Sequence, residues 1–130
     1  MPSRRKSPLL AILVVDDEPT VRDALINLLT DDGHRVVGAE NGSAALAELE
    51  VQPFDLVISD IFMPGRDGLE LVPVIRTQYP GTKIITISGG STVLSATDCS
   101  RISQALGASA SLEKPFDLAT LTATIAMVIT

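Results

Sequence analysis

Five apolar, β-rich runs recur along the chain, at about 9–15, 35–39, 54–59, 83–88 and 109–112, and a helical pattern lies in each interval between them or follows the last. Leu9–Val15 and Leu56-Val57-Ile58 are continuous rather than alternating, as strands covered on both faces are. Val21, Ala24, Leu25, Leu28 and Leu29 follow the i, i+3, i+4, i+7, i+8 spacing of one helix face, with Pro19 suited to its first turn. Ala45, Leu46 and Leu49 predict a short second helix before Pro53. Leu69, Val72 and Ile75 predict a third; Cys99, Ile102, Ala105 and Leu106 a fourth, stopped by Gly107. Leu118, Leu121, Ile125 and Val128 predict a fifth, with Asp117 placed to cap it. Strand and helix alternating in this way imply an α/β fold, doubly wound, with a parallel sheet, right-handed crossovers and helices on both faces. Pro73 falls inside the third pattern and predicts a helix that bends or starts late. The Ser and Thr residues of 91–100 compete with the helix for hydrogen bonds, so the first half of the fourth pattern reads as loop.

A chain of 130 residues is long enough for one domain with one real core, and 45% hydrophobic residues fit a folded globule rather than a disordered segment. The net charge of −6 has the wrong sign for a general nucleic-acid binder. Cys99 is the only cysteine, which excludes an internal disulfide; a small core residue in a reducing, cytoplasmic setting is the simple reading. Arg4, Arg5 and Lys6 before Leu9–Val15 imitate an export signal. That run is short, meets acids at once and has no small-x-small cleavage site, so residues 1–8 read as a flexible basic tail and 9–130 as the domain. No segment is long enough to cross a membrane.

The polar residues at the carboxyl ends of the strands set the chemistry. Asp16 and Asp17 follow the first strand, Asp60 the third, Ser88 ends the fourth and Lys114 follows the fifth. Strand two adds nothing comparable: Glu40 and Asn41 read as loop, and Asn41-Gly42 as a turn. Taken singly, each has a plain structural role: a helix cap for either acid of the first pair, a turn for Asp60, a strand end for Ser88, a solvated charge for Lys114. Taken together they lie along the edge where open α/β sheets bind ligands. Clustered carboxylates stay ionised at low cost only when a cation joins them, and an all-oxygen set suits Mg²⁺. Zinc is disfavoured, because the lone His34 has no second nitrogen or sulfur partner. A carboxylate, a divalent cation, a lysine and a hydroxyl can together surround a phosphoryl group.

From about Ala11 onward the chain resembles the receiver domain of two-component response regulators, on "ILVVDDEP", "DLVISDIFMPGRDG", "IITISGG" and "GASASLEKPFD" in this order and spacing. The resemblance implies a flavodoxin-like (βα)5 fold with strand order 2-1-3-4-5. It implies that Asp60 accepts a phosphoryl group from a phosphohistidine. Asp17, Asp60 and the backbone carbonyl of Phe62 would bind Mg²⁺ directly, and Asp16 largely through water. Lys114 would pair with Asp60 or its phosphoryl oxygens, Ser88 would bond the phosphoryl group, and the Lys114-Pro115 peptide matches a position that is usually cis. Glu18 belongs to the start of the first helix rather than to the metal.

One departure bears on signalling: the family usually has Tyr or Phe three residues before the lysine, where this chain has Ser111. The expected function is a stand-alone phosphoacceptor switch with no separate substrate turnover. It would be loaded by a sensor histidine kinase or phosphotransfer protein and read by a downstream protein through 91–129, without direct contact to nucleic acid or membrane. Two rivals stand beside it. A Mg²⁺-dependent phosphohydrolase would need a second acid two residues after the nucleophile, where this chain has Phe62. A phosphorylation-independent binding module usually loses an acid or the lysine, and this chain keeps them all; Ser111 leaves room for it.

Overall fold

The computed structural model describes residues 9–61, 68–88, 107–114 and 116–129. Five strands, β1 (Ala11–Val15), β2 (Arg35–Ala39), β3 (Leu56–Asp60), β4 (Lys83–Ser88) and β5 (Ala110–Glu113), form one sheet in the order β2-β1-β3-β4-β5, with every neighbouring pair parallel. Among the described residues the helices are α1 (Pro19–Asp31), α2 (Gly42–Val51), α3 (Gly68–Gln78) and α4 (Leu118–Ile129). The helix expected over 99–106, the loop at 91–100, the tail at 1–8, Phe62, Cys99 and Pro115 all lie outside the described residues.

Alternation along each strand sends side chains into two separate cores. Ile12 and Val14 of β1 pack with Leu25 and Leu29 of α1 and with Leu121 and Ile125 of α4. Leu13 and Val15 pack on the other face with Ala45 and Leu49 of α2 and with Leu71, Val72 and Ile75 of α3. The central strands are inaccessible on both faces, which is why their sequences carry no polar alternation. Each large side chain buried this way contributes about 1.5–3 kcal/mol.

Three local expectations need correction. Asn41 does not form a turn with Gly42; it is the N-cap of α2, and its side-chain oxygen accepts from Ala44 N at 2.8 Å. Such a cap contributes about 1 kcal/mol. The buried stripe of α1 is also rotated: Ala24 and Leu28 are exposed, while Ile26 packs against the core. The reason is Gly38 of β2, whose missing Cβ makes room for Ile26. The late start expected from Pro73 does not occur: α3 begins at Gly68 and carries Pro73 inside it, on its exposed side. Other expectations hold. Pro19 sits in the first turn of α1, and Asp117 caps α4 by accepting from Thr120 N at 2.8 Å.

Candidate functional site

Parallel strands in this order deliver their carboxyl ends to one rim, and the ladder continues past them. Asp16 N donates to Ala39 O (3.1 Å), Ile61 N to Ile87 O (2.9 Å) and Lys114 N to Ser88 O (2.8 Å). These bonds fix the backbone on which Asp16, Asp60, Ser88 and Lys114 stand. Asp17, Asp60 and Asp16 converge: one carboxylate oxygen from each lies within 4.8 Å of the other two. Asp16 and Asp60 are buried and Asp17 is exposed, so the cluster opens to solvent on the Asp17 side.

Lys114 Nζ approaches Asp60 Oδ2 at 3.2 Å and Asp16 Oδ2 at 4.0 Å. Burial pulls the Lys114 ammonium toward lower pKa, but the Asp60 charge and hydrogen bond, with Asp16 and Glu18 behind them, outweigh it and raise it. Burial pushes the Asp16 carboxyl up, against the Glu18 N–H and Lys114; Asp60 and Asp17 push the same way as burial. The backbone of β3 is held too, with Ser59 Oγ donating to Asp60 O at 3.0 Å.

The Asp16 carboxylate is hydrogen-bonded through one oxygen. Its Oδ1 accepts from Glu18 N at 2.9 Å, while its Oδ2 is buried and makes no hydrogen bond. A buried carboxylate oxygen is costly without a hydrogen-bond donor, Lys114 at 4.0 Å offsets that only in part, and Asp16 with the two carboxylates beside it supplies the hard oxygen set that Mg²⁺ takes. The residues therefore fit that ion. Glu18 is the N-cap of α1 with an exposed side chain that makes no capping bond, in keeping with a place in the first helical turn. His34 is buried away from this rim, where its Nδ1 accepts from Leu10 N at 3.2 Å, and it is a structural residue.

Five parallel strands in this order with an acid-and-lysine rim decide the family once the sequence is compared with known proteins: the model of the response regulator receiver domain matches residues 12–126. The chain belongs to the response regulator receiver family. Among proteins it is similar to, FleR of Pseudomonas aeruginosa is 38% identical over 106 residues, 82% of this chain and 22% of that protein. FixJ of Bradyrhizobium diazoefficiens is 37% identical over 114 residues, 88% of this chain and 54% of that protein. Among solved structures, Vibrio cholerae CheY4 superposes with a TM-score of 0.83 at 32% identity, covering 93% of this chain and 99% of that one. NtrX of Brucella abortus gives 0.84 at 31% identity over 94% of this chain and 27% of that one. The chain spans about a fifth of the length of the first curated relatives it matches.

Within the receiver, the position that usually carries an aromatic holds Ser111, and its Oγ lies 2.8 Å from Thr86 Oγ1. The two residues are register partners on β5 and β4. Thr86 is fully buried and stands two residues before Ser88, on the same side of the strand. Reading the sequence alone misses Thr86, Ser59 and also Arg22, whose guanidinium donates to the backbone carbonyl of Asp16. A threonine or serine inside an apolar strand run is the only visible signal for the first two; the last has none beyond its place in the first turn after the acids.

Proposed function

We propose that this receiver is a Mg²⁺-dependent phosphoacceptor switch in two-component signalling, with Asp60 as the acceptor. A sensor kinase or phosphotransfer protein presents a phosphohistidine. A carboxylate oxygen of Asp60 attacks phosphorus in line; the P–N bond breaks, its electron pair stays on the imidazole, and an acyl phosphate forms on Asp60. Lys114 donates to the carboxylate before transfer and to the phosphoryl oxygens after it. Ser88 supplies a hydroxyl donor to the same oxygens. Asp17, Asp60 and the Phe62 carbonyl would hold Mg²⁺ directly and Asp16 through water, and the ion, when bound, neutralises charge on the phosphoryl group.

The observation that carries this reading is the 3.2 Å pair of Lys114 with Asp60 inside a three-carboxylate cluster. The added charge, about 1.5–2 negative units by analogy with other phosphoresidues, biases a two-state equilibrium that a downstream protein reads through 91–129. The test is intact mass spectrometry after incubation with Mg²⁺ and acetyl phosphate. The expected result is a single phosphate adduct that is absent in Asp60→Asn and absent with a chelator. An adduct that persists in Asp60→Asn, or none with either the small donor or a kinase, removes the proposal.

A further inference from the structure

Three of the four polar groups of Asp16 are already bonded: its N–H to Ala39 O, its Oδ1 to Glu18 N, and its backbone carbonyl to Arg22 Nη1 at 2.8 Å. Only Oδ2 is left, buried and aimed into the acid cluster. The Arg22 bond is the one that comes from a side chain across a helix–strand junction. Arg22 stands in the first turn of α1, where its N–H donates to Glu18 O at 2.9 Å. Its arm then runs over β2 at Gly38. A Cβ built on Gly38 would stand 3.3 Å from Arg22 Cδ and 3.5 Å from Arg22 Cγ, tighter than or at the limit of ordinary contact, and 2.8 Å from Ile26 Cδ1. The gap at Gly38 therefore serves both side chains of α1 that cross the strand. A half-buried arginine whose stem packs closely over a glycine and whose head meets one backbone carbonyl is held in place, not a solvated charge.

We infer that Arg22 is a positioning residue for the cation site: seated over Gly38, it clamps the Asp16 backbone so that Oδ2 faces the acid cluster before any ion arrives. The inference rests on the metal reading above. The Asp16 carbonyl belongs to the peptide that joins Asp16 to Asp17, so the bond holds the water-mediated acid and the direct ligand beside it; loss of an outer partner of a ligand weakens metal binding about ten- to a hundredfold. Arg22 acts through hydrogen-bond geometry rather than through charge alone, since it meets the carbonyl and not the carboxylate.

Titration calorimetry with Mg²⁺ tests it, alongside circular dichroism melts of the same metal-free samples. Arg22→Met keeps an apolar stem without the donor and is expected to raise Kd about tenfold, at the low end of that range. Arg22→Lys, which keeps one donor, recovers part of the loss. Gly38→Ala crowds Ile26 most and nudges the Arg22 stem by a few tenths of an ångström; it raises Kd less than Arg22→Met does and adds little in that background, because both changes act on one arrangement. In the metal-free protein, Arg22→Met also moves the Asp16 carbonyl ¹³C resonance. A role confined to holding α1 on the sheet lowers the melting temperature and leaves Kd unchanged; that result overturns the inference, as does full additivity of Gly38→Ala with Arg22→Met. Should Arg22→Met not fold, Arg22→Lys and Gly38→Ala carry the test by the same Kd criterion. Wild-type protein that takes Mg²⁺ no better than Asp17→Asn overturns the metal reading and the inference with it, whereas tight wild-type binding unaffected by Arg22→Met overturns the inference alone.

Discussion

Asp16 is buried to 1% exposure beside two other acids, and the sign of its pH effect follows from that setting. Burial, then the Asp60 and Asp17 charges, raise its carboxyl above the usual carboxylate value, so the folded chain holds the proton more tightly than the unfolded one. The stability linked to that proton is complete below the unfolded pKa and is lost as pH rises through the folded one. At neutral pH the ionised Asp16 therefore weighs against folding unless a cation is bound. Asp16→Asn, which keeps the Oδ1 acceptor for Glu18 N, is expected to raise the melting temperature at pH 7 in the presence of a chelator. The gain should shrink as pH falls into the carboxylate range, and a gain that stays constant with pH contradicts this account. Lys114 has the same direction of shift from the opposite charge type, so its contribution is full at neutral pH and is lost only on the alkaline side. The acids and the lysine are legible in the sequence because charge at the end of an apolar run has few explanations. Their unequal burial is not, since Asp16 and Asp17 are adjacent and chemically identical.

Between elements, the Thr86–Ser111 bond joins β4 to β5 on the side where an aromatic residue usually couples a receiver's site to its surface. A hydroxyl pair does not swing as a ring does; it is fixed by a donor and an acceptor between neighbouring strands. Thr86→Val keeps the shape and removes the pair, and should cost about 1 kcal/mol in urea unfolding with the m-value unchanged. A cost near zero means that the pair carries no net stability. The strands themselves are the most legible elements: apolar runs place all five to within two residues at their ends, because burial on both faces excludes polar residues. Helix faces are harder. The α1 pattern admits Leu28 or Ile26 as its inner residue, and the bare backbone of Gly38 on the next strand makes the room that Ile26 takes.

Over the whole molecule, site and cores are separated: the acids sit at the rim, and the apolar mass lies on either side of the sheet. A ligand that binds only the folded state then adds to stability without repacking anything, by about 2.7 kcal/mol at a hundred times its Kd. Saturating Mg²⁺ is expected to raise the melting temperature, a chelator to reverse it, and Asp17→Asn to abolish the gain; a gain that survives in Asp17→Asn places the ion elsewhere. Sheet order is readable only through the family resemblance, since the run order alone fits several doubly wound arrangements. The output surface is the least legible, because a surface is defined by what docks on it and not by burial within one chain.

The alternation that divides the cores also works as a reading frame. Ile12 and Val14 look to one side of the sheet, Leu13 and Val15 to the other, and the count runs on into Asp16, buried, and Asp17, exposed. Dropping one residue from β1 would exchange the two cores and turn Asp16 and Asp17 each to the opposite side. The same parity that packs the strand thus tells two identical neighbours apart.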